Sequence, residues 1–399
     1  MEKELGFGFM RLPVLDENDL KSIDYDTLTE MVDYFMKSGF NTFDTAYVYH
    51  EGESEIALRK TVVERYPRDS FVIASKVTPD LLHTKDDLPR LFDDSMSKLG
   101  IDYFDHFLIH NISQPQYNAA VKFDYFDFVR EKKKEGKIVE VGMSFHGTPD
   151  LLEEVLSKYA DRLDFIQLQI NNVDWEDPNF QARRQYEIAR KYGLPVSVME
   201  PNKGGMLAHP PQEALDLMNK QAPGLSPVAW NLRYAASLEG VQWVQTGMNC
   251  MEHLVENVAT MKDFKPLSAE EHAVMEEVVK IYEKNQKGYP CTFCRYCLDD
   301  CPKDIPIPNY IYLYNSGKEN IKYLNNEYLP TEVVNYISLM SEHGRAKDCI
   351  GCRLCERTCP QHLPIVDIMD KVARFYDDML DSYDTETGEK IGEWQPPVD

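Results

Sequence analysis

No run of apolar residues in this chain is long enough to cross a bilayer, and its first residues, MEKELGFGFMRLP, lack the basic and apolar stretches of an export signal. A cytoplasmic protein is therefore expected, with no membrane as partner. Positive charge is scarce: 43 Lys and Arg stand against 67 Asp and Glu, a formal net charge of −24. So acidic a chain has little electrostatic footing on nucleic acid, and a redox partner docking on its acidic face would present a basic one. No GxGxxG follows the first β-like run, which removes the usual mark of an open dinucleotide-binding sheet. Cysteine is sparse as well, nine among 399 residues.

Eight of those nine cysteines fall into one pattern written twice. Cys291, Cys294, Cys297 and Cys301 precede Pro302, and Cys349, Cys352, Cys355 and Cys359 precede Pro360. Three thiolates at successive two-residue gaps can wrap three corners of a 4Fe-4S cube, while the fourth, set off by three residues and a proline, completes the other cube. The spacing thus pairs Cys291, Cys294, Cys297 with Cys359, and Cys349, Cys352, Cys355 with Cys301. Disulfides would need an oxidising compartment, and a zinc site normally takes two pairs with a longer spacer. The ninth, Cys250, reads as a small buried hydrophobe.

Eight short β-like runs recur at 5–10, 41–44, 71–76, 104–110, 138–144, 164–169, 195–199 and 241–246. Helical patterns lie between them, among others at 27–38, 54–65, 86–99 and 149–159. Strand–helix units of this length form right-handed parallel crossovers, and eight of them close into a (β/α)8 barrel, an α/β fold, over about 1–286. A serine-capped amphipathic helix at 268–284 ends that part. The cysteine region, 287–379, separates its two motifs by a spacer with helical periodicity and reads as a small helical two-cluster ferredoxin-like domain. Residues 380–399 read as a polar tail.

Chemistry in such a barrel sits where the strands end, on the loops of the carboxyl face. Asp44, Lys76 and His110 close three successive strands, and Tyr49 lies in the loop after the first of them. A carbonyl receiving hydride develops negative charge on oxygen, and a tyrosine hydroxyl can supply the proton. Lys76, held by Asp44, is expected to lower the pKa of that phenol, and His110 to orient the carbonyl. Phe7, Phe9, Tyr47, His50, Phe145, His146 and Trp175 are expected around the pocket, and Arg11 is a candidate for an anionic group. Each of the four strand-end residues also has a bland reading, as ion pair, core histidine or packing.

FDTAYVY at 43–49, IASK at 73–76, FLIH at 107–110, GMSFHG at 142–147 and the segment 247–257 resemble the signature segments of the aldo/keto reductases. LGFGFMRLP at 5–13, MEPNKGG at 199–205 and PQHLPI at 360–365 are similar to the branch of that family carrying a C-terminal 4Fe-4S domain. The resemblance implies a catalytic tetrad of Asp44, Tyr49, Lys76 and His110. It implies nicotinamide contacts from Ser144 and Gln167, a pyrophosphate loop at Pro201, Gly204 and Gly205, and an adenine end at Glu256 and Asn257. Phe145 and Met199 depart from the family's asparagine and aromatic ring at the nicotinamide. Gly247 and His253 stand where NADPH-preferring members carry a lysine and an arginine, so preference for NADP is not carried over. The expected activity is reduction of a small carbonyl compound, or oxidation of an alcohol, with NAD(P)(H) in the barrel and two 4Fe-4S clusters for electron transfer. Two alternatives stay open: a ferredoxin-coupled oxidoreductase passing electrons through the clusters, with a flavin as a further option, and a non-catalytic redox sensor.

Overall fold

The computed structural model describes residues 4–16, 19–177, 180–285, 288–289, 291, 295–299, 301–320, 331–359 and 361–381. The chain divides into two compact units, Met1–Lys284 and Asn285–Asp399.

The first unit is a closed barrel of parallel strands. In chain order the strands are β1 (Glu4–Gly8), an antiparallel hairpin of β2 (Val14–Asp16) and β3 (Asp19–Ile23), then β4 (Thr42–Asp44), β5 (Val72–Val77), β6 (Phe104–Ile112), β7 (Ile138–Phe145), β8 (Phe165–Gln169), β9 (Val196–Met199) and β10 (Val241–Gly247). Each barrel strand pairs with the next, and β1 closes the ring by pairing with both β10 and β4. All eight expected runs are strands, with ends shifted by one or two residues. The β2–β3 hairpin was not among them.

Alternation along each strand sorts the side chains. Phe7 and Phe43 face the surrounding helices and meet Phe35 there, with ring centroids 5.6 and 5.4 Å from it. The opposite positions face the lumen. Ala74, Leu108, Phe165 and Trp243 form one buried cluster that plugs it, with the His106 ring stacked on Trp243 at 5.0 Å. Gly142 makes room for this plug: a Cβ there would lie 2.3 Å from the Phe165 ring.

Local chemistry sets the helices. Asp24 caps Tyr25–Lys37 through the Thr27 amide, and that helix buries Leu28, Met31, Val32 and Phe35, a spacing that keeps one face apolar. Ser268 and Glu271 cap Ala269–Asn285 reciprocally, as expected from the serine. The pattern at 54–65 is not one helix. It is α-helical over Ser54–Leu58 and then widens into a π turn, Arg59–Val63, where the Thr61 hydroxyl donates to the Ala57 carbonyl and displaces regular pairing.

The second unit consists, among its described residues, of helices and short turns, including Ile307–Asn320, Thr331–Glu342 and Ile365–Val372. Its core stacks Tyr336 between Tyr310 and Tyr376, with centroids 4.5 and 4.6 Å away. Residues 382–399, expected as a tail, lie outside the described residues.

Candidate active site

The carboxyl ends of β4, β5 and β6 bring Asp44, Lys76 and His110 to one end of the lumen, and the turn after β4 carries Tyr49 to the same place. Lys76 is 1 % exposed. Its ammonium donates to Asp44 Oδ1 at 2.5 Å and to the Thr45 carbonyl at 2.6 Å. The same nitrogen lies 4.7 Å from the centre of the Tyr49 ring, and the Tyr49 and His110 rings meet edge to face at 5.7 Å. The four expected residues therefore form one cluster.

Burial dominates the protonation of this cluster. It pulls the Lys76 amine below its ordinary range and pushes the Asp44 carboxyl above its own, each resisted by the opposite charge beside it. Burial and the Lys76 charge together hold His110 well below the usual histidine range, so its ring is neutral near neutral pH. His146 is driven down to about 4 by the same two causes. The expectation for Tyr49 needs correcting. Its phenol is raised well above its ordinary value, chiefly by burial and then by Asp44, with Arg11 opposing. Lys76 approaches the ring face and is itself paired with a carboxylate, so its field does not outweigh the loss of water.

Polar atoms deeper in the lumen are left with unmet hydrogen-bonding capacity. His110 Nδ1, Gln167 Nε2, Ser197 Oγ, Gln245 Oε1 and Asp44 Oδ2 are buried without a well-aligned partner. Buried polar groups of this kind are costly unless something pairs with them. Ser197 and Gln245 were not singled out from the sequence, though the alternation Val196–Ser197–Val198 marks Ser197 as facing inward. Of the expected nicotinamide contacts, Gln167 is in this set. Ser144 is already engaged: its Oγ accepts from the Asn111 amide at 2.8 Å.

The loop after β9 is built for close approach. Gly204 and Gly205 have φ of 64° and 97°, conformations that favour residues without a Cβ, and the Gly204 amide donates to the Glu200 carboxylate. Lys203 ties this loop down through a short ion pair to Asp174, which is fully buried and also accepts from Gln169 at 2.7 Å and from Asn171 at 2.6 Å. Neither Lys203 nor Asp174 was picked out from the sequence. Pro201 is buried beside this loop. At the adenine end, Asn257 turns its amide inward to Thr246 Oγ1 at 3.1 Å, while Glu256 is half-buried one residue earlier.

Several expected pocket residues serve other ends. Phe7, Phe9 and Phe145 belong to the core between strands and helices, because they occupy the outward positions of the alternation. The Tyr47 hydroxyl donates to Asp94 at 2.8 Å, Trp175 packs on Tyr186, and Arg11 reaches Glu200 at 3.8 Å.

In the second unit, one small cavity of about 20 Å³ is lined by Cys291, Cys297 and Cys359, and another of about 20 Å³ by Cys301, Cys349, Cys352 and Cys355. Cys294 lies outside the described residues. Among the described residues no three His, Cys, Asp or Glu side chains converge to hold a metal ion. No helix among them is long and apolar enough to cross a membrane.

The family model described as "Aldo/keto reductase family" matches residues 4–339. Among curated proteins, the chain is 24% identical to an aldo-keto reductase of Aspergillus calidoustus, over 46% of this chain and 48% of that protein. It is 29% identical to an NAD/NADP-dependent indole-3-acetaldehyde reductase of Schizosaccharomyces pombe, over 43% of this chain and 56% of that one. The matches thus span about half the length of these relatives. Among solved structures, the holo form of an aldo-keto reductase from Bacillus halodurans superposes with a TM-score of 0.57 at 22% identity, covering 69% of this chain and 91% of that one. An aldo-keto reductase from Klebsiella pneumoniae in complex with NADPH gives 0.52 at 22%, over 69% and 90%. At these identities the likeness is one of fold.

Proposed function

The chain belongs to the aldo/keto reductase family, and from that premise we propose that it reduces the carbonyl of a small aldehyde or ketone to an alcohol, or catalyses the reverse, with a nicotinamide cofactor in the barrel mouth. The observation that carries the reading is the meeting of Asp44, Tyr49, Lys76 and His110 at one end of the lumen. The residues fit a nicotinamide on a second count. Gln167 Nε2, Gln245 Oε1 and Ser197 Oγ, each without a well-aligned partner, offer donors and acceptors for a carboxamide, and the positive φ of Gly204 and Gly205 in the loop after β9 permits close backbone approach by a pyrophosphate. Bound there, a reduced nicotinamide supplies hydride to the carbonyl carbon. The protein's part is to supply the proton. Tyr49 keeps its proton because burial raises its pKa, and it donates that proton to the carbonyl oxygen as charge builds there. Neutral His110 offers a polar ring edge beside that oxygen, and the Asp44–Lys76 pair fixes the floor on which both rings rest.

The test is direct: NADH and NADPH oxidation are followed by absorbance with aldehydes, ketones and 2-oxo acids. Turnover with one nicotinamide that is lost in Lys76→Met supports the reading, and a native protein inert with every pair overturns it.

The second unit is read as an electron-transfer domain with two 4Fe-4S clusters. The support is that its two cavities divide the cysteines as the crossed pattern requires, the fourth cysteine of each motif lining the cavity of the other. A cube takes each thiolate on a different iron, so its ligands stand around a cavity and need not converge on one ion. Bound there, the clusters supply single-electron steps. Anaerobic reconstitution followed by titration with NADH and NADPH separates a wired enzyme, whose cluster absorbance bleaches, from one whose clusters are structural.

A further inference from the structure

Beside the proton donor, the ring of His50 does something the tetrad does not account for. His50 is 1 % exposed, and both of its nitrogens are spent on backbone from one distant segment. Nε2 accepts from the Leu12 amide at 3.1 Å, and Nδ1 lies 2.8 Å from the Leu20 carbonyl. Leu12 and Leu20 flank and belong to the β2–β3 hairpin, which is closed at its base by the Asp24 amide donating to the Pro13 carbonyl at 2.9 Å. Further bonds run parallel to these. The Phe9 amide donates to the Asp44 carbonyl at 2.7 Å, Ser54 Oγ donates to the Phe9 carbonyl at 2.9 Å, and Lys21 pairs with Glu51 at 2.8 Å.

The turn so held is an unfavourable one. His50 and Glu51 both take left-handed backbone angles, with φ of 51° and 50°, a conformation that residues bearing a Cβ adopt at a cost. Two such residues in succession persist only where surrounding bonds over-determine them. Tyr49 immediately precedes them, so the direction of its ring depends on whether the turn stays in this state.

Resting on the carbonyl-reductase reading above, we propose that His50 is a positioning residue: by tethering the β2–β3 hairpin to the left-handed turn, it fixes the orientation of the Tyr49 phenol for proton transfer. The ring acts through Tyr49 and takes no part in the proton's path.

His50→Phe keeps the ring and removes both nitrogens, and His50→Gln restores one donor and one acceptor. The native and variant full-length enzymes are compared by steady-state kinetics, circular dichroism and hydrogen exchange at the Leu12 amide. Misplacing a reacting group by about an ångström costs on the order of 10²-fold in rate. The expected result is a kcat loss approaching that size in His50→Phe, with cofactor and substrate KM changed by less than about threefold, faster exchange at Leu12, and partial recovery of both in His50→Gln. Unchanged kcat in His50→Phe overturns the proposal whatever the exchange shows, as does a kcat loss that only tracks the unfolded fraction. A native enzyme without carbonyl turnover sinks the reductase reading instead. The exchange at Leu12 still decides the tether then, since unchanged protection in His50→Phe refutes it.

Discussion

On the proposed reading, Tyr49 enters the reaction with its proton in place, because burial holds the phenol well above its ordinary pKa. A donor in that state suits reduction, where the oxygen gains charge as hydride arrives, and it keeps activity from failing early on the alkaline side. Tyr49→Phe removes the proton and leaves the ring packing on His110, so kcat should fall by about 10² to 10⁴, the range typical for loss of a general acid. Cofactor binding, read by fluorescence quenching, should hardly change. Equal losses in both would mean that the tyrosine packs and does not donate. Behind the cluster sits a second buried acid that the sequence did not mark out. Glu55 is fully buried, accepts from Ser75 Oγ at 2.7 Å and from Ser95, and has its carboxyl raised to about 7 by burial. Between its ordinary value and about 7 the folded protein keeps a proton there that the unfolded chain has lost. Stability from this group is therefore whole at acid pH and declines as pH rises through that window, by about 3 kcal/mol in all. Glu55→Gln should flatten the decline: denaturation at about pH 5 and about pH 8 should differ less for the variant than for the native chain. An unaltered difference would place the titration elsewhere.

At the scale of elements, an ion pair anchors the loop after β9, together with amide bonds from Asn171 to the Glu200 carbonyl and from Asn231 to Asn202 and Leu207. Asp174, on the short helix Asn172–Trp175, is fully buried, and Lys203 on the glycine loop neutralises it. Lys203→Met leaves the carboxylate buried without its cation, which typically costs 3–5 kcal/mol, so urea unfolding should shift by about 3 kcal/mol. Adding Asp174→Asn should recover much of the loss, since no charge then remains buried. A double variant as unstable as the sum of the two single ones would show that the pair does not couple. The elements themselves were largely readable beforehand. Strands such as 71–76 and 104–110 are short apolar runs between helical patterns, and closure of the barrel followed from their number. Facing was harder to read. Phe7 and Phe9 were assigned to the pocket as aromatics beside a strand end, yet Gly6 and Gly8, alternating with them, mark the lumen side: a Cβ on Gly6 would lie 3.1 Å from the Gln245 Cβ, and one on Gly8 would lie 3.1 Å from the Thr246 carbonyl oxygen. The His50 tether was not legible. It depends on a hairpin whose three-residue strand Val14–Asp16 is too short to show a period, and on backbone partners that have no sequence signature. The widened turn at Arg59–Val63 likewise depends on one hydroxyl choosing a carbonyl.

For the whole molecule, the proposed clusters rest on covalent spacing, and the cysteines are the clearest case of a reading made from spacing. Four residues within eleven constrain one another before any folding, whereas the lumen gathers Gln167, Ser197 and Gln245 from strands far apart in sequence. In the proposed two-cluster domain, the spacing predicts that the fourth cysteine of each motif crosses to the cluster of the other. The cavities favour the crossed arrangement, with Cys301 beside Cys349, Cys352 and Cys355, and Cys359 beside Cys291 and Cys297. Crossing has a consequence that local ligation does not share. Under it, Cys301→Ala and Cys352→Ala damage the same cluster, so either alone should lower reconstituted iron from about eight to about four atoms per chain, and the two together no further. Pairing Cys301→Ala with Cys291→Ala should instead remove both clusters. If each motif ligated its own cluster, the outcomes would exchange: Cys301 and Cys291 would fail as one, and Cys301 and Cys352 would fail independently. Iron analysis of the three single and two double variants distinguishes the arrangements without any assay of turnover. It therefore stands whether or not the barrel proves to be a carbonyl reductase.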